Sequence, residues 1–218
     1  MALKRIGIFG GTFDPPHVGH QILAMEASDQ LNLDKVLWVL TPDPPHKVGK
    51  EITQIDIRKL MVLAAIDEDP RFVFSSVDID RPGPHYVFNT MKLLREEFLN
   101  FELVFLMGGD SLHNLPNWYK PEKFIGACDN LGIMRRPGEN IHLRDLTHSL
   151  PSIEKKIKFI DAPLLEISSN QIRHLVYTKK PYRYYLPFEV YKIIEEMNLY
   201  RSLPPKKGKL NCIVAKRN

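Results

Sequence analysis

Residues 5–20 read R-I-G-I-F-G-G-T-F-D-P-P-H-V-G-H, and this stretch decides the fold. A short apolar run over residues 5–9 ends in Gly10 and Gly11, and a helical spacing of apolar residues follows over residues 21–31. A strand that passes through a glycine turn into a helix is typical of the first unit of a parallel α/β sheet. The two glycines let the backbone come close to a ligand and adopt positive φ at little cost.

His17 and His20 stand where this helix is predicted to begin. Residues three apart lie on the same side of a helical turn, and the first N–H groups of a helix have no partner within it. Two imidazoles beside those N–H groups form a clamp for phosphate oxygens. A bare H-x-x-H would more simply be two satisfied histidines in a turn. The accompanying strand, glycines and prolines favour the phosphate site.

The rest of the chain alternates strand and helix patterns and then becomes helical. Strands are predicted over residues 35–40, 72–79, 102–107, 131–134, 156–160 and 164–167. Helices are predicted over residues 56–66, 88–98, 121–127, 169–177 and 187–197, the first with Ile57, Leu60, Met61 and Ala64 on its apolar side. The prediction is an α/β fold with a mainly parallel sheet, helices on both faces and a small helical C-terminal part. Ligands of such sheets bind beyond the carboxyl ends of the strands.

Length and charge predict one folded unit and a tail. The 218 residues fit a single domain over 1–203, and Pro204 and Pro205 precede a basic tail over 204–218. Five of the 30 Lys and Arg residues lie in that tail, which leaves 25 against 26 Asp and Glu, so no nucleic-acid partner is expected of the body. Two distant cysteines and the lack of a long apolar run predict a cytoplasmic protein without membrane spans.

A second segment with phosphate-binding chemistry, I-S-S-N-Q-I-R, occupies residues 167–173. Ser168 is a good helix N-cap, and Gln171 stands three residues on, where a capping box places a glutamine. The Ser169 hydroxyl, the first helical N–H groups and the Arg173 guanidinium could together hold phosphate oxygens. A helix that is merely well capped is the alternative for this segment taken alone.

The first segment lacks the patterns of two common nucleotide sites. Phe9 occupies the middle glycine position of G-x-G-x-x-G, and no Gly-Lys-Ser/Thr follows as in a P-loop. It resembles instead the G-G-x-F-D-P-x-H-x-G-H motif of the nucleotidylyltransferase superfamily, which has a Rossmann-like fold. The resemblance implies that Gly10, Gly11, Thr12 and Phe13 bind substrate. Residues 167–173 are similar to the I-S-S-x-x-I-R motif of the same superfamily, which implies phosphate binding by Ser168, Ser169 and Arg173.

Three further segments resemble the nicotinate mononucleotide adenylyltransferases of this superfamily. P-P-H-K over residues 44–47 implies that Lys47 binds phosphate, and R-R-P-G over residues 135–138 matches another family stretch. F-L-M-G-G-D-S-L-H-N-L-P-N-W over residues 105–118 implies that Asp110 binds ribose hydroxyls and that Trp118 stacks on the pyridine ring. Tyr86 falls beside the implied nicotinate pocket, where His85 and Val87 replace the usual Ser and Thr.

The resemblance implies adenylyl transfer from ATP to nicotinate mononucleotide, with Mg²⁺ bound through phosphates and water. His17, His20, Lys47 and Arg173 are the expected catalytic residues, and no protein-bound metal is expected. Nicotinamide mononucleotide and phosphopantetheine remain alternative acceptors. A cytidylyltransferase, a non-catalytic nucleotide- or RNA-binding protein using the tail, and an α/β domain with accidental motifs are further alternatives. The sequence does not indicate an oligomeric state.

Overall fold

A computed structural model describes residues 4–43, 52–135, 143–163 and 165–201. In these ranges, six strands form one parallel sheet in the order β3-β2-β1-β4-β5-β6. The strands are β1 (Lys4–Gly11), β2 (Lys35–Leu40), β3 (Phe72–Ser75), β4 (Phe101–Gly108), β5 (Asn130–Arg135) and β6 (Ile157–Asp161). The α-helices are α1 (Val18–Gln30), α2 (Ile55–Ile66), α3 (Val87–Glu97), α4 (Gly109–Asn114), α5 (Pro121–Ala127), α6 (Leu143–Ser149), α7 (Ser169–Tyr177) and α8 (Phe188–Glu196).

The sheet is covered on both faces, as predicted. Successive side chains of a strand point to opposite faces. Accordingly, Leu37 and Val39 of β2 belong to the core cluster that contains residues of α3, α4, α5 and α6. Trp38 and Leu40 belong to the cluster that contains residues of α1 and α2. Burial on both faces explains why K-V-L-W-V-L is a continuous apolar run rather than an alternating one. The Rossmann-like α/β prediction is confirmed.

A crevice opens where the strand order reverses, between β1 and β4. β1 pairs with β2 through Gly11 but with β4 only as far as Ile8, which lies opposite Phe105. β4 continues along β5 to Gly108. The carboxyl ends of β1 and β4 therefore separate at the topological switch point, where ligands of this fold class bind.

The helical C-terminal part packs against α2. A third cluster joins α2, α7 and α8 through the buried side chains of Met61, Ala65, Ile172, Val176, Leu186, Val190 and Ile194. This cluster fixes the start of α7 relative to the sheet. No helix in the described ranges is long and apolar enough to cross a membrane. The tail over 204–218 lies outside the described residues, so the proposed division at residue 203 stays a prediction.

Three local predictions were wrong. β3 ends at Ser75 because the Asp80 N–H donates to the Ser76 carbonyl at 2.9 Å and closes a turn. Residues 165–167 form no strand; they follow Pro163, which has no N–H to donate to a ladder. On α2, Leu60 is 48% exposed and Arg58 is buried, because the Arg58 guanidinium is satisfied by backbone carbonyls.

Candidate active site

Two stacked imidazoles stand at the start of α1. His17 is the N-cap residue, with extended backbone at φ −146° and ψ 169°, and the His20 N–H donates to the His17 carbonyl at 2.8 Å. The two ring centroids are 3.6 Å apart, with 27° between the ring planes. The structure thus brings the predicted pair together on the first turn of the helix.

The orientation of His20 follows from its neighbours. Its Nδ1 accepts from the His17 backbone N–H at 3.1 Å, so the neutral ring carries its proton on Nε2. The rings of Phe9, Phe13 and Trp38 surround it at centroid distances of 5.8, 5.2 and 6.3 Å. These aromatic rings limit the movement of the imidazole and leave Nε2–H as its donor.

Burial favours the uncharged form of the His17 imidazole. It is only 6% exposed, and burial lowers its pKa from 6.5 to about 4. Its Nδ1 is buried without a hydrogen-bond partner in the described part of the chain. At neutral pH, this side chain would therefore contact a phosphate through a neutral N–H and not through a full positive charge.

Gly11 and Gly19 make room for neighbouring rings and do not form a left-handed turn. Gly10 and Gly11 pair with β2 as ordinary strand residues, and the positive φ in this loop belongs to Phe13, at 46°. A Cβ on Gly11 would lie 2.8 Å from the Phe13 ring, and one on Gly19 would lie 3.1 Å from the imidazole of His17. The positive φ that a glycine would allow falls instead on Phe13, which makes the turn.

The start of α7 closes over the loop between β1 and α1. The Ser168 hydroxyl oxygen accepts from the Gln171 N–H at 3.2 Å, which confirms Ser168 as the predicted N-cap. The Ser169 hydroxyl donates to the Pro15 carbonyl at 2.8 Å, and Arg173 Nη1 donates to the Asp14 carbonyl at 2.6 Å. Arg173 Nη2 also donates to the side chain of Asn170. The side chains of Ser169 and Arg173 are thus both hydrogen-bonded to the loop between β1 and α1.

These elements enclose a cavity of about 390 Å³, which we call the β1-side cavity. Its size lies within the range of small-molecule sites. Its polar lining consists of Thr12, Asp14, His17, His20, Ser168, Ser169, Asn170 and Arg173. The apolar wall includes Phe9, Phe13, Leu23, Met134, Ala162, Leu165 and Ile167. Gly10 and Gly11 stand just before it, at the end of β1.

Three further predicted site residues, Tyr86, Asp110 and Trp118, also lie outside this lining. Asp110 is exposed in the first turn of α4, directly after β4. Trp118 is half-buried and packs its ring against Phe105 and Phe124, at centroid distances of 6.3 and 5.4 Å. Tyr86 is the N-cap of α3. The sequence did not predict the contact that joins these elements.

That contact is a stacked tyrosine pair. The Tyr86 ring lies 4.3 Å from the ring of Tyr119, with 22° between the planes. Tyr119 directly follows Trp118, so the pair holds α3 and the Trp118 segment together. We call Tyr86, Asp110, Trp118 and Tyr119 the β4-side region.

A buried arginine fixes the loops around the β1-side cavity. Arg58 is 3% exposed, and its guanidinium donates to four main-chain carbonyls. The acceptors are Thr53 at 2.7 Å, Thr12 at 3.0 Å, Thr41 at 2.9 Å and Pro42 at 2.8 Å. Burial lowers its pKa, and the nearby charge of Asp14 counteracts that effect. The loops after β1 and β2 are thereby held to the start of α2.

A different buried network supports the β4-side region. The Asp78 carboxylate is 2% exposed and accepts from Arg81 Nη2 at 2.7 Å and from the Thr90 hydroxyl at 2.7 Å. Arg81 Nη1 also donates to the Pro84 carbonyl at 3.1 Å. This network fixes the segment that leads to Tyr86 and the first turn of α3.

Some predicted residues cannot be placed. Lys47 and residues 136–138 of the R-R-P-G stretch lie outside the described residues, as does the side chain of Arg135. Their roles stay predictions.

The chain is similar to known proteins over most of its length. The cytidylyltransferase-like family matches residues 8–175. A probable nicotinate-nucleotide adenylyltransferase of Thermomicrobium roseum is 40% identical over 92% of this chain and 94% of its own. The nicotinate-nucleotide adenylyltransferase of Bacillus subtilis is 37% identical over 92% of this chain and 100% of its own.

A solved structure is similar in fold. Plasmodium falciparum nicotinic acid mononucleotide adenylyltransferase, complexed with NaAD, has a TM-score of 0.74 and 20% identity, covering 90% of this chain and 97% of its own. This likeness concerns the fold, and the sequence relatives and the family match show that the chain belongs to the nicotinate-nucleotide adenylyltransferase family, within the cytidylyltransferase-like group.

Proposed function

We propose that this protein transfers the adenylyl group of ATP to nicotinate mononucleotide, giving nicotinate adenine dinucleotide and pyrophosphate. The observation that carries the proposal is the β1-side cavity, where the His17–His20 pair at the start of α1 faces Ser169 and Arg173 at the start of α7. Two helix N-termini and a guanidinium around one space suit a polyphosphate. The family membership supports the same reaction.

The chemistry needs no covalent enzyme intermediate. A phosphate oxygen of the acceptor attacks the α-phosphorus of ATP in line, forming a new P–O bond, while the bond to the bridging oxygen of pyrophosphate breaks. The protein then contributes positioning and stabilisation of charge on the phosphate oxygens. His20 Nε2–H and the first N–H groups of α1 would donate to the α-phosphate, and Arg173 and Lys47 would hold the departing pyrophosphate.

The Ser169 hydroxyl has a narrower role than the sequence implied. Its proton is directed at the Pro15 carbonyl, so its own contribution to a phosphate would come from the backbone N–H at the first position of α7. Arg173 retains further N–H groups beyond those that bond Asp14 and Asn170. The purine ring would lie against the apolar wall of the cavity.

Mg²⁺ would enter with the nucleotide. The described residues contain no group of three or more His, Cys, Asp or Glu side chains arranged to hold a metal ion. Mg²⁺ is commonly bound through substrate phosphates and water with few protein ligands, and such a donor set fits this site. When bound, it would neutralise charge on the triphosphate. The protein's own residues would align the α-phosphorus with the acceptor.

The β4-side region would bind the acceptor. Trp118 and Tyr86 offer rings for the pyridine, and the exposed Asp110 carboxylate can accept from ribose hydroxyls. His85 is buried and its Nε2 lies 3.2 Å from the Arg81 carbonyl, so it contributes no group to the pocket from that position. The first N–H groups of α3, at Val87 and Phe88, attract a carboxylate more than a neutral amide. These N–H groups would therefore favour nicotinate over nicotinamide, even though His85 and Val87 lack the hydroxyls of the usual Ser and Thr.

The test is pyrophosphate release from ATP and Mg²⁺ with three acceptors in parallel: nicotinate mononucleotide, nicotinamide mononucleotide and phosphopantetheine. We expect kcat/KM for nicotinate mononucleotide to exceed the others by at least about tenfold, the range of one charge-assisted contact. A higher value for another acceptor would overturn the assignment of the β4-side region. No release with any acceptor would overturn the proposed reaction.

The same assay tests the domain division. A protein ending at residue 203 should retain full kcat/KM if residues 1–203 form the catalytic unit. A large loss of activity in that shortened protein, with an unchanged circular dichroism spectrum, would assign the basic tail a part in catalysis.

A further inference from the structure

The carboxylate of Asp14 joins three distant parts of the chain. Asp14 lies in the loop between β1 and α1 and is 5% exposed. Its Oδ1 accepts from the Tyr200 hydroxyl at 2.8 Å, and its Oδ2 accepts from the Thr53 N–H at 3.3 Å. Tyr200 follows α8, and Thr53 precedes α2. Since a buried carboxylate needs donors, these contacts fix the position of the loop.

The main chain of the same residue holds a predicted catalytic group. The Asp14 carbonyl accepts from Arg173 Nη1 at 2.6 Å, and the next carbonyl, of Pro15, accepts from Ser169. Any displacement of the Asp14 backbone must therefore move the acceptors of both α7 side chains. Asp14 is therefore the single residue that links the Tyr200 hydroxyl to the Arg173 guanidinium. Its carboxylate accepts from Tyr200, and its carbonyl accepts from Arg173.

The Tyr200 ring is placed independently of its hydroxyl. The ring packs against the third core cluster, and its oxygen lies 3.9 Å from Met61 Sδ. Burial and the charge of Asp14 raise the pKa of Tyr200 well above 10, so the hydroxyl remains a donor across the working pH range. Replacing Tyr200 with Phe would remove the link to Asp14 and leave the packing in place.

We propose that Tyr200 is a positioning residue for adenylyl transfer, acting through Asp14 on the loop that holds Arg173 at the β1-side cavity. The inference rests on the proposed function. It assigns Tyr200 no contact with substrate. Its effect is to hold the acceptors of Arg173 in the geometry that the phosphates require, where small displacements are costly.

The chain offers a matched control for Tyr200→Phe. Tyr182 also donates its hydroxyl to a carboxylate, that of the partly exposed Glu195, within the same C-terminal part but outside the lining of the cavity. We expect Tyr200→Phe to lower kcat about tenfold and Tyr182→Phe to change it by less than about twofold. Equal effects of the two variants, measured below their unfolding temperatures, would overturn the proposal.

A double-mutant cycle separates positioning from general destabilisation. If Tyr200 acts through Arg173, Tyr200→Phe should lower kcat by less than about twofold in an Arg173→Lys background, because coupled residues are non-additive. Effects that simply multiply would overturn the proposal. Should Tyr200→Phe fail to fold, Asp14→Asn removes the charged acceptor of Tyr200 and must show the same coupling to Arg173→Lys.

Binding of a non-hydrolysable ATP analogue gives a readout that needs no acceptor. Calorimetric titration should show about tenfold weaker binding to Tyr200→Phe than to the wild type and to Tyr182→Phe. Wild-type protein that binds the analogue but releases no pyrophosphate with any acceptor would contradict the proposed function alone. Unchanged analogue binding together with unchanged kcat in Tyr200→Phe would contradict this inference alone.

Discussion

The β1-side cavity and the β4-side region are built differently. The cavity is closed by contacts between segments far apart in the chain, such as Asp14 with Tyr200 and Asp14 with Arg173. The β4-side region presents partly exposed rings, including Trp118 and Tyr119. Rigid donors suit charge that develops in a transition state, whereas partly open rings suit the capture of a planar group.

Each side has an arginine with a different kind of partner: Arg58 is buried, whereas Arg81 is partly buried. Arg58 donates to four neutral carbonyls and so fixes backbone segments. Arg81 pairs with the buried carboxylate of Asp78 and supports the segment that precedes α3. The difference suggests that changes on the cavity side should alter the chemical step, and changes on the β4 side should alter acceptor binding.

The sharpest test of the cavity side is His20→Ala. Loss of one donor to the reacting phosphate should lower kcat by about 10²- to 10³-fold, since oxyanion donors contribute on that scale. Pyrophosphate release measures the effect, and the exposed His148→Ala on α6 is the control. Unchanged turnover in a folded His20→Ala protein would remove His20 from the catalytic role.

On the β4 side, Trp118→Ala should mainly raise KM for nicotinate mononucleotide. Stacking on an aromatic side chain contributes about 1–3 kcal/mol, which corresponds to a roughly 5- to 150-fold change. KM for ATP should stay within about twofold. Trp118→Phe, which keeps a ring, should show a smaller loss. An equal rise in both KM values would show that Trp118 supports the fold and does not select the acceptor.

Burial of His17 makes the stability of the cavity side depend on pH. The folded pKa, about 4, lies below the unfolded value of 6.5, so the unfolded state binds more protons between these pH values. The contribution of His17 is fully present above pH 6.5 and is lost as the pH falls toward 4. Between pH 7 and pH 5 the loss should be about 2 kcal/mol in the free energy of unfolding.

The measurement is urea unfolding at pH 7 and pH 5, compared between the wild type and His17→Asn. Other titrating groups act equally in both proteins and cancel in the difference. If the free energy of unfolding of His17→Asn fell as much between pH 7 and pH 5 as that of the wild type, the lowered pKa assigned to His17 would be contradicted.

Replacing Arg58 or Arg81 with lysine tests the two sides separately, and the expected kinetic effect is smaller than those of the variants above. Lysine keeps the charge but loses the planar fork. Arg58→Lys should lower kcat about fivefold at unchanged acceptor KM, and Arg81→Lys should raise acceptor KM about fivefold at unchanged kcat. Each variant is the control for the other. The same kinetic change in both would erase the distinction between the two sides.

Local chemistry was predictable from the sequence. The strand, loop and helix over residues 5–20 placed His17 and His20 correctly on one helical turn, because neighbours in sequence are neighbours in space there. The Ser168 cap followed from the residues that a helix start requires. Strands β2 and β5 were visible because burial on both faces demands continuous apolar runs.

Long-range polar contacts were not predictable. Arg58 lies on an amphipathic helix, where an arginine normally faces solvent, and nothing near it in sequence shows that carbonyls of the loops after β1 and β2 converge on it. The same holds for Tyr200, which lies 186 residues from Asp14. Phe13 took the positive φ expected of a glycine because its ring is held by Phe9, Trp38 and His20. Only the folded arrangement determines these positions.

The most direct test of the two-sided site is a crystal structure of the protein with nicotinate adenine dinucleotide. The account predicts that the diphosphate lies within hydrogen-bond distance of His20 Nε2 and the first turn of α1. The adenosine should lie in the β1-side cavity, and the pyridine ring should lie against Trp118 or Tyr86 across the crevice. A dinucleotide bound entirely on one side, or with its pyridine ring in the β1-side cavity, would contradict it.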